Sequence, residues 1–254
     1  MAKNNGIKNA QNNVFDQNDD AIGGRTNGDD FRTGAALQGA VDPNTGFLWF
    51  GTGNPNTGWN LTDKANLETG LKLIHRQGAD YSPTGTGPNG EQDFTVSAGL
   101  QAGNPNRAEW NFNYAVNTAA GVAPGDTFDL ANTPGLAAYD FKMQITQSGP
   151  QFLTSHTAIF DLNAATHMWV DESNPLIGFG GDDFAPSNAA SADVMAHIAE
   201  NSVNLAFLTG EFGSLATSTA AGTEYDIKLV GFTAGTGNLQ TFTHDHITLV
   251  APPV

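Results

Sequence analysis

His244-Asp245-His246 is the compact histidine pair of this chain. In an extended segment residues two apart share a face, so both imidazoles, with Phe242 ahead of them, project from one side of a strand. Two imidazoles are the start of a zinc, nickel or copper site, completed by a third ligand such as His156, His167 or an aspartate. The same spacing also suits ordinary strand-surface residues. A second group is acidic. Asp161 and Asn163, Asp171 and Glu172, and Asp182 and Asp183 crowd one short stretch, the last two beside Gly180 and Gly181. Carboxylates and amide oxygens on flexible loops are what calcium prefers, and glycine lets the backbone turn toward an ion. Calcium is therefore the expected cofactor, although Asp and Asn close turns through their own backbone equally well. No EF-hand loop and no glycine-rich nonapeptide repeat is present.

Trp59 follows the turn-rich stretch containing Asn54-Pro55-Asn56. An exposed indole beside amide side chains is a sugar-stacking platform, so Trp59, Asn54 and Asn56 form a candidate ligand-binding set. Trp110 and Trp169 read as core residues. Glycoside hydrolysis needs two carboxylates across a cleft, and Glu109, Glu172, Glu211 and Glu224 cannot be paired from spacing alone. Phosphate-binding loops, dinucleotide fingerprints, Gly-x-Ser-x-Gly elbows and His-Glu-x-x-His pairs are missing.

The elements that must position these groups are mostly strands. In Trp110–Asn117 aromatic and aliphatic residues alternate with Asn and Ala. That period of two sets Trp110, Phe112, Tyr114 and Val116 against a core and turns the asparagines toward water. Tyr139–Thr146 repeats the pattern. Further strands are expected at Gly46–Phe50, Gly70–Arg76, Phe94–Ala98, His156–Leu162, His167–Val170, Val203–Leu208, Glu224–Val230 and Gln240–Val250. Ala79–Asp93, rich in Gly and Pro, reads as a long irregular loop. The Ala-rich stretch Asn188–Glu200 predicts one short helix, with Val194, Met195 and Ile198 as its buried stripe and Ser187 or Asn188 as its cap. The periodic helices of a βαβ fold are absent. The expected fold is all-β: an antiparallel β-sandwich, jelly-roll-like or lectin-like, with long loops and one short helix. Residues 1–30 read as a flexible polar arm and residues 31–254 as a single sandwich domain.

Composition narrows the partners. The chain has 254 residues, 39% hydrophobic, with 16 Phe and 4 Trp, so a sizeable core is available. Charged residues make up only 14%, against about 25% in an average soluble protein. The formal charge of −16 supplies no basic footprint for nucleic acid or an anionic membrane surface. With no cysteine there are no disulfides or thiol chemistry. No window resembles a transmembrane helix, and Met1–Ala21 lacks the apolar stretch of a signal peptide.

Gly46–Asn60 and Gly178–Phe184 resemble bacterial exported and surface proteins, a likeness that implies an extracellular or cell-surface setting and carries no catalytic motif. The leading expectation is a noncatalytic surface or matrix structural protein, calcium-stabilised and self-assembling, with itself or surface and matrix components as partners. The alternative is a lectin-like domain with a glycan ligand. A secreted hydrolase ranks third.

Overall fold

The computed structural model describes residues 30–35, 59–64, 67–75, 78, 81–87, 91–104, 107–118, 135, 138–162, 198–205 and 220–252. They form eleven strands: β1 Asp30–Ala35, β2 Trp59–Lys64, β3 Leu67–His75, β4 Gly85–Thr86, β5 Gln92–Ser97, β6 Trp110–Asn117, β7 Tyr139–Ser148, β8 His156–Leu162, β9 Ile198–Val203, β10 Glu224–Thr233 and β11 Asn238–Val250. The five-stranded sheet has the order β1-β2-β3-β6-β9, and the six-stranded sheet β4-β5-β11-β10-β7-β8. The sheets pack face to face, with β11 lying across β2 and β3.

Alternation decides what lies between the sheets. Trp110, Phe112, Tyr114 and Val116 of β6 join Leu71 and Leu73 of β3, Met143 and Ile145 of β7, Tyr225, Ile227 and Leu229 of β10, and Ile247 and Leu249 of β11 in one core. The Trp110 and Tyr225 rings meet edge to face, with centroids 5.4 Å apart. Burial of such side chains stabilises by about 1.5–3 kcal/mol each before entropy is counted. Not all of the interface is apolar. The inner face of β11 presents Thr241, Thr243 and Asp245 before it reaches Ile247 and Leu249. Thr243 Oγ1 lies 2.9 Å from Thr69 Oγ1 and donates to the Thr69 carbonyl at 2.8 Å. A polar seam thus runs beside the apolar core.

Three expectations need correction. The fold is all-β, and none of the eleven elements with described bounds is a helix. Ile198, Ala199 and Glu200, expected to end one, open β9 and pair with Asn117, Val116 and Ala115. The ladder edge of β6 offers backbone donors and acceptors to that segment, and tertiary pairing overrides the alanine-rich helical preference. Residues 188–197 lie outside the described set. The sandwich is also not wholly antiparallel: β5 runs parallel to β11, with Asp245 opposite Gln92 and Ile247 opposite Phe94. Finally, Asn111 and Asn113 do not face water; both are buried. Asn204 Nδ2 donates to Asn111 Oδ1 at 2.8 Å and to the Ala108 and Trp110 carbonyls at 2.9 and 3.0 Å.

The strands at Gly46–Phe50 and His167–Val170 also fall outside the described residues. The strand expected at Val203–Leu208 meets β9 only at Val203, and the expected loop Ala79–Asp93 contains β4.

Candidate functional site

β10 and β11 form a hairpin, and Gly235 and Gly237 take positive φ angles of 71° and 65° in its turn. Between the turn and the site, Gly231 pairs with Thr241 while Phe232 pairs with Leu239. Gln240 is thus an extra residue on β11, a β-bulge. Beyond it Asp226 stands opposite His246, and Lys228 opposite His244. These residues point away from the core onto the outer face of the six-stranded sheet.

Asp226 Oδ1 is the centre of the group. His244 Nε2 donates to it at 3.0 Å and His246 Nδ1 at 3.1 Å. The side chains are graded in exposure, 9% for His244, 26% for His246 and 35% for Asp226, so one imidazole is sealed and the other two groups reach solvent. Burial acts to raise the Asp226 carboxyl, but the hydrogen bonds and charges of the two rings outweigh it and hold the group well below the usual carboxylate range. Burial lowers His244 below the ordinary histidine value against the pull of Asp226, and nearby Lys228 adds to the lowering. The hydrogen bond to Asp226 raises His246, opposed by burial and aided by Glu224 and Asp93. One carboxylate therefore holds two imidazoles of different character: His244 favours the neutral ring and His246 the charged one.

Neighbouring strands extend the polar row. Register places Asp93 of β5 beside His246, and Thr146 of β7 beside Asp226. Thr146 and Thr157 of β8 share a hydroxyl contact of 3.1 Å. One row over, Thr248 Oγ1 approaches His246 Nε2 at 3.4 Å, and Ser148 donates to Glu224 Oε2 at 3.4 Å. The other end of this sheet face is apolar, where Val230, Phe232 and Phe242 pack with Ile159 and Leu239. The result is a row of hydroxyl, carboxylate and imidazole groups, a ledge spaced by the strand separation of about 4.8 Å.

The pairing of His244 and His246 on one face matches the sequence reading, with Phe242 on that face. The metal reading needs correction. Among the described residues no group of three or more His, Cys, Asp or Glu side chains is placed to hold a metal ion. The physical reason at this site is that both imidazoles direct N–H groups at Asp226, so hydrogen bonding occupies the nitrogens that would face an ion. Calcium as cofactor is corrected on the same finding. Asp161 lies in β8, in register with Lys142. Asn163, Asp171, Glu172, Asp182 and Asp183 lie outside the described residues, as do Asn54 and Asn56. Trp59 opens β2 and is 0% exposed, packed with Leu61 and Ala115. Its ring presents no face to a dissolved sugar in this conformation.

Asp226 carries the site and is absent from every sequence motif. Its signal was the alternation Glu224-Tyr225-Asp226-Ile227-Lys228-Leu229, whose polar members face outward beside a strand with two histidines. Among the described residues no helix is long and apolar enough to cross a membrane. Comparison with family models, curated proteins and solved structures returned no match.

Proposed function

We propose that the protein is a noncatalytic β-sandwich of the cell surface or extracellular matrix that binds hydroxyl-rich glycan components along the outer face of its six-stranded sheet. The observation that carries this reading is the ledge of Asp93, His246, Asp226, Thr146 and Thr157, aligned by register across five strands. Polyol ligands are recognised by fixed donors and acceptors, and a carboxylate pinned by two imidazoles loses little freedom on binding. The neutral-polar, cysteine-free composition supports the setting. Binding to an array of surface and matrix polysaccharides, compared between the protein and Asp226→Asn and Thr146→Val variants, tests it. The expected result is retention on a subset of glycans and weakened retention by both variants. A blank array removes the reading.

Self-association is the second reading, favoured by β8, which among the described strands pairs with β7 alone. A strand edge of this kind is a template for addition of another strand. Light scattering that finds only monomer at every concentration removes it.

A further inference from the structure

On the opposite face of β11 from the ledge, one residue away from each histidine, lies a buried ionisable group that the proposed function does not use. Asp245 points between the sheets and is 2% exposed. Its hydrogen-bond partner is on the other sheet: Asn60 Nδ2 of β2 donates to Asp245 Oδ1 at 2.5 Å. The same amide nitrogen donates to the His244 carbonyl at 3.0 Å. Asn60 is 3% exposed, and its Oδ1 is buried without any hydrogen-bond partner. An orphaned acceptor beside a buried carboxyl has a simple chemical remedy. A carboxylic acid carries one O–H donor, which a carboxylate lacks.

We propose that Asp245 is protonated in the folded protein and donates to Asn60 Oδ1, so that an acid–amide pair clasps β11 to β2, and that the clasp opens when the proton leaves to water. Three observations support it. Among the described residues the site holds no compensating cation. Facing Asp245 are Asn60 from β2, Ile227 from β10 and Gln92 from β5, none of them charged. On β3, Leu71 pairs with Asn60. The nearby charged and titratable groups, His244, His246, Asp226, Lys228, Glu224, Asp93 and Glu91, belong to the outer face or rim of the six-stranded sheet. Second, burial raises the Asp245 carboxyl to about 7, with the Asn60 hydrogen bond opposing. Third, a neutral acid satisfies the Asn60 acceptor that an ionised one leaves orphaned, and leaving such a group unpaired is costly.

The sign follows from linkage. The folded-state value is raised above the unfolded one, so the folded state binds the proton more tightly. The stabilisation is fully present below the ordinary aspartate range and is lost as pH rises through about 7. The clasp therefore favours the closed sandwich in mildly acidic surroundings and loosens it in alkaline ones. Because Asn60 also holds the His244 carbonyl, loosening reaches the strand that carries the ledge.

The test is carbon-13 NMR of the full chain labelled at aspartate carboxyl carbons. The expected spectrum contains one carboxyl resonance that titrates near neutrality, far above the others, and disappears in Asp245→Asn. In parallel, the melting temperature of the wild type falls as pH rises from about 5.5 to about 8.5, bracketing the raised value. Asp245→Asn, which keeps shape and has no proton to lose, shows a shallower fall. The residual slope combines His246, which titrates in the same direction, with His244, whose lowered value acts in the opposite one, and comparing Asp245→Asn made in a His246→Gln background with that background alone isolates the Asp245 part. If Asp245→Asn does not fold, Asn60→Leu is read instead: the buried carboxyl still titrates above the ordinary aspartate range because burial is the main cause, and its midpoint shifts from the wild-type one because its hydrogen-bond partner is gone. A spectrum in which every aspartate titrates in the ordinary acidic range overturns the proposal, as does an Asp245→Asn protein with the full wild-type slope in the His246→Gln background.

Discussion

Asp226 shows how one side chain turns two spaced histidines into a defined group. With its carboxylate present, His246 keeps its proton to higher pH than an ordinary histidine, the hydrogen bond being the main cause. The folded value is raised, so its contribution to stability is complete below the unfolded histidine value and is lost as pH rises through the folded one. Asp226→Asn removes the carboxylate charge and weakens that hydrogen bond. The His246 ring proton titration, followed by NMR, should move to lower pH. The stability change should stay below about 1 kcal/mol, because the pair is partly open to water. Little change at His246 would mean that Asp226 does not hold it in solution. His244 and His246 were legible as a same-face pair because the period of a strand is fixed. Asp226 was not, for a geometric reason. The Thr233–Asn238 pairing at the turn, extended without interruption, would set Asp226 opposite Asp245. The extra residue at Gln240 shifts the register by one and sets His246 there instead. Nothing in the composition of that stretch announces a bulge.

At the scale of the element, the bulge takes up the one residue by which the turn and the His246–Asp226 pairing differ in register. A one-residue slip sends every side chain of a strand to the other face. Deleting Gln240 leaves Phe232 opposite Leu239 and Gly231 opposite Thr241, so the ladder closes without the bulge and no side chain changes face. The deletion should therefore cost less than about 2 kcal/mol, the loss being the local twist of the bulge, and Gln240→Ala, which keeps the residue count, less than about 1 kcal/mol. Urea unfolding of both proteins compares them directly. Gly231, beside the bulge, marks a close approach of the sheets. A Cβ there would lie 3.1 Å from Phe141 Cε1 and 3.3 Å from Leu67 Cδ2. Gly231→Val should destabilise by about 1–3 kcal/mol through overpacking. β7 and β10 were readable because the apolar members of their alternation face the core, and β6 was readable from its period although both of its faces are buried. β2 was hidden because it is buried on both faces: Asn60 looks inward and Trp59 outward, and both are inaccessible. A polar residue beside an aromatic one then reads as a loop. Asn111 and Asn113 misled for the same reason. Alternation reports two different faces, and it does not report which of them meets water.

For the molecule as a whole, the formal charge of −16 on 254 residues sets a long-range term that no single contact offsets. Self-repulsion disfavours the compact state, and salt screens it over a distance of about 10 Å at 0.1 M. Raising ionic strength from about 0.01 M to about 0.3 M, where the screening length shrinks to a few ångströms, should therefore raise the melting temperature. A gain of about 1 kcal/mol would appear as about 3 °C in a chain of this size. Screening depends on ionic strength and not on the identity of a monovalent cation. Sodium chloride and choline chloride at matched ionic strength should give the same increment, since choline is too large for a small cation site. Differential scanning fluorimetry across both series reads the outcome. Equal slopes identify diffuse screening as the stabilising effect. A larger rise in sodium would point to a seated cation and contradict the screening account.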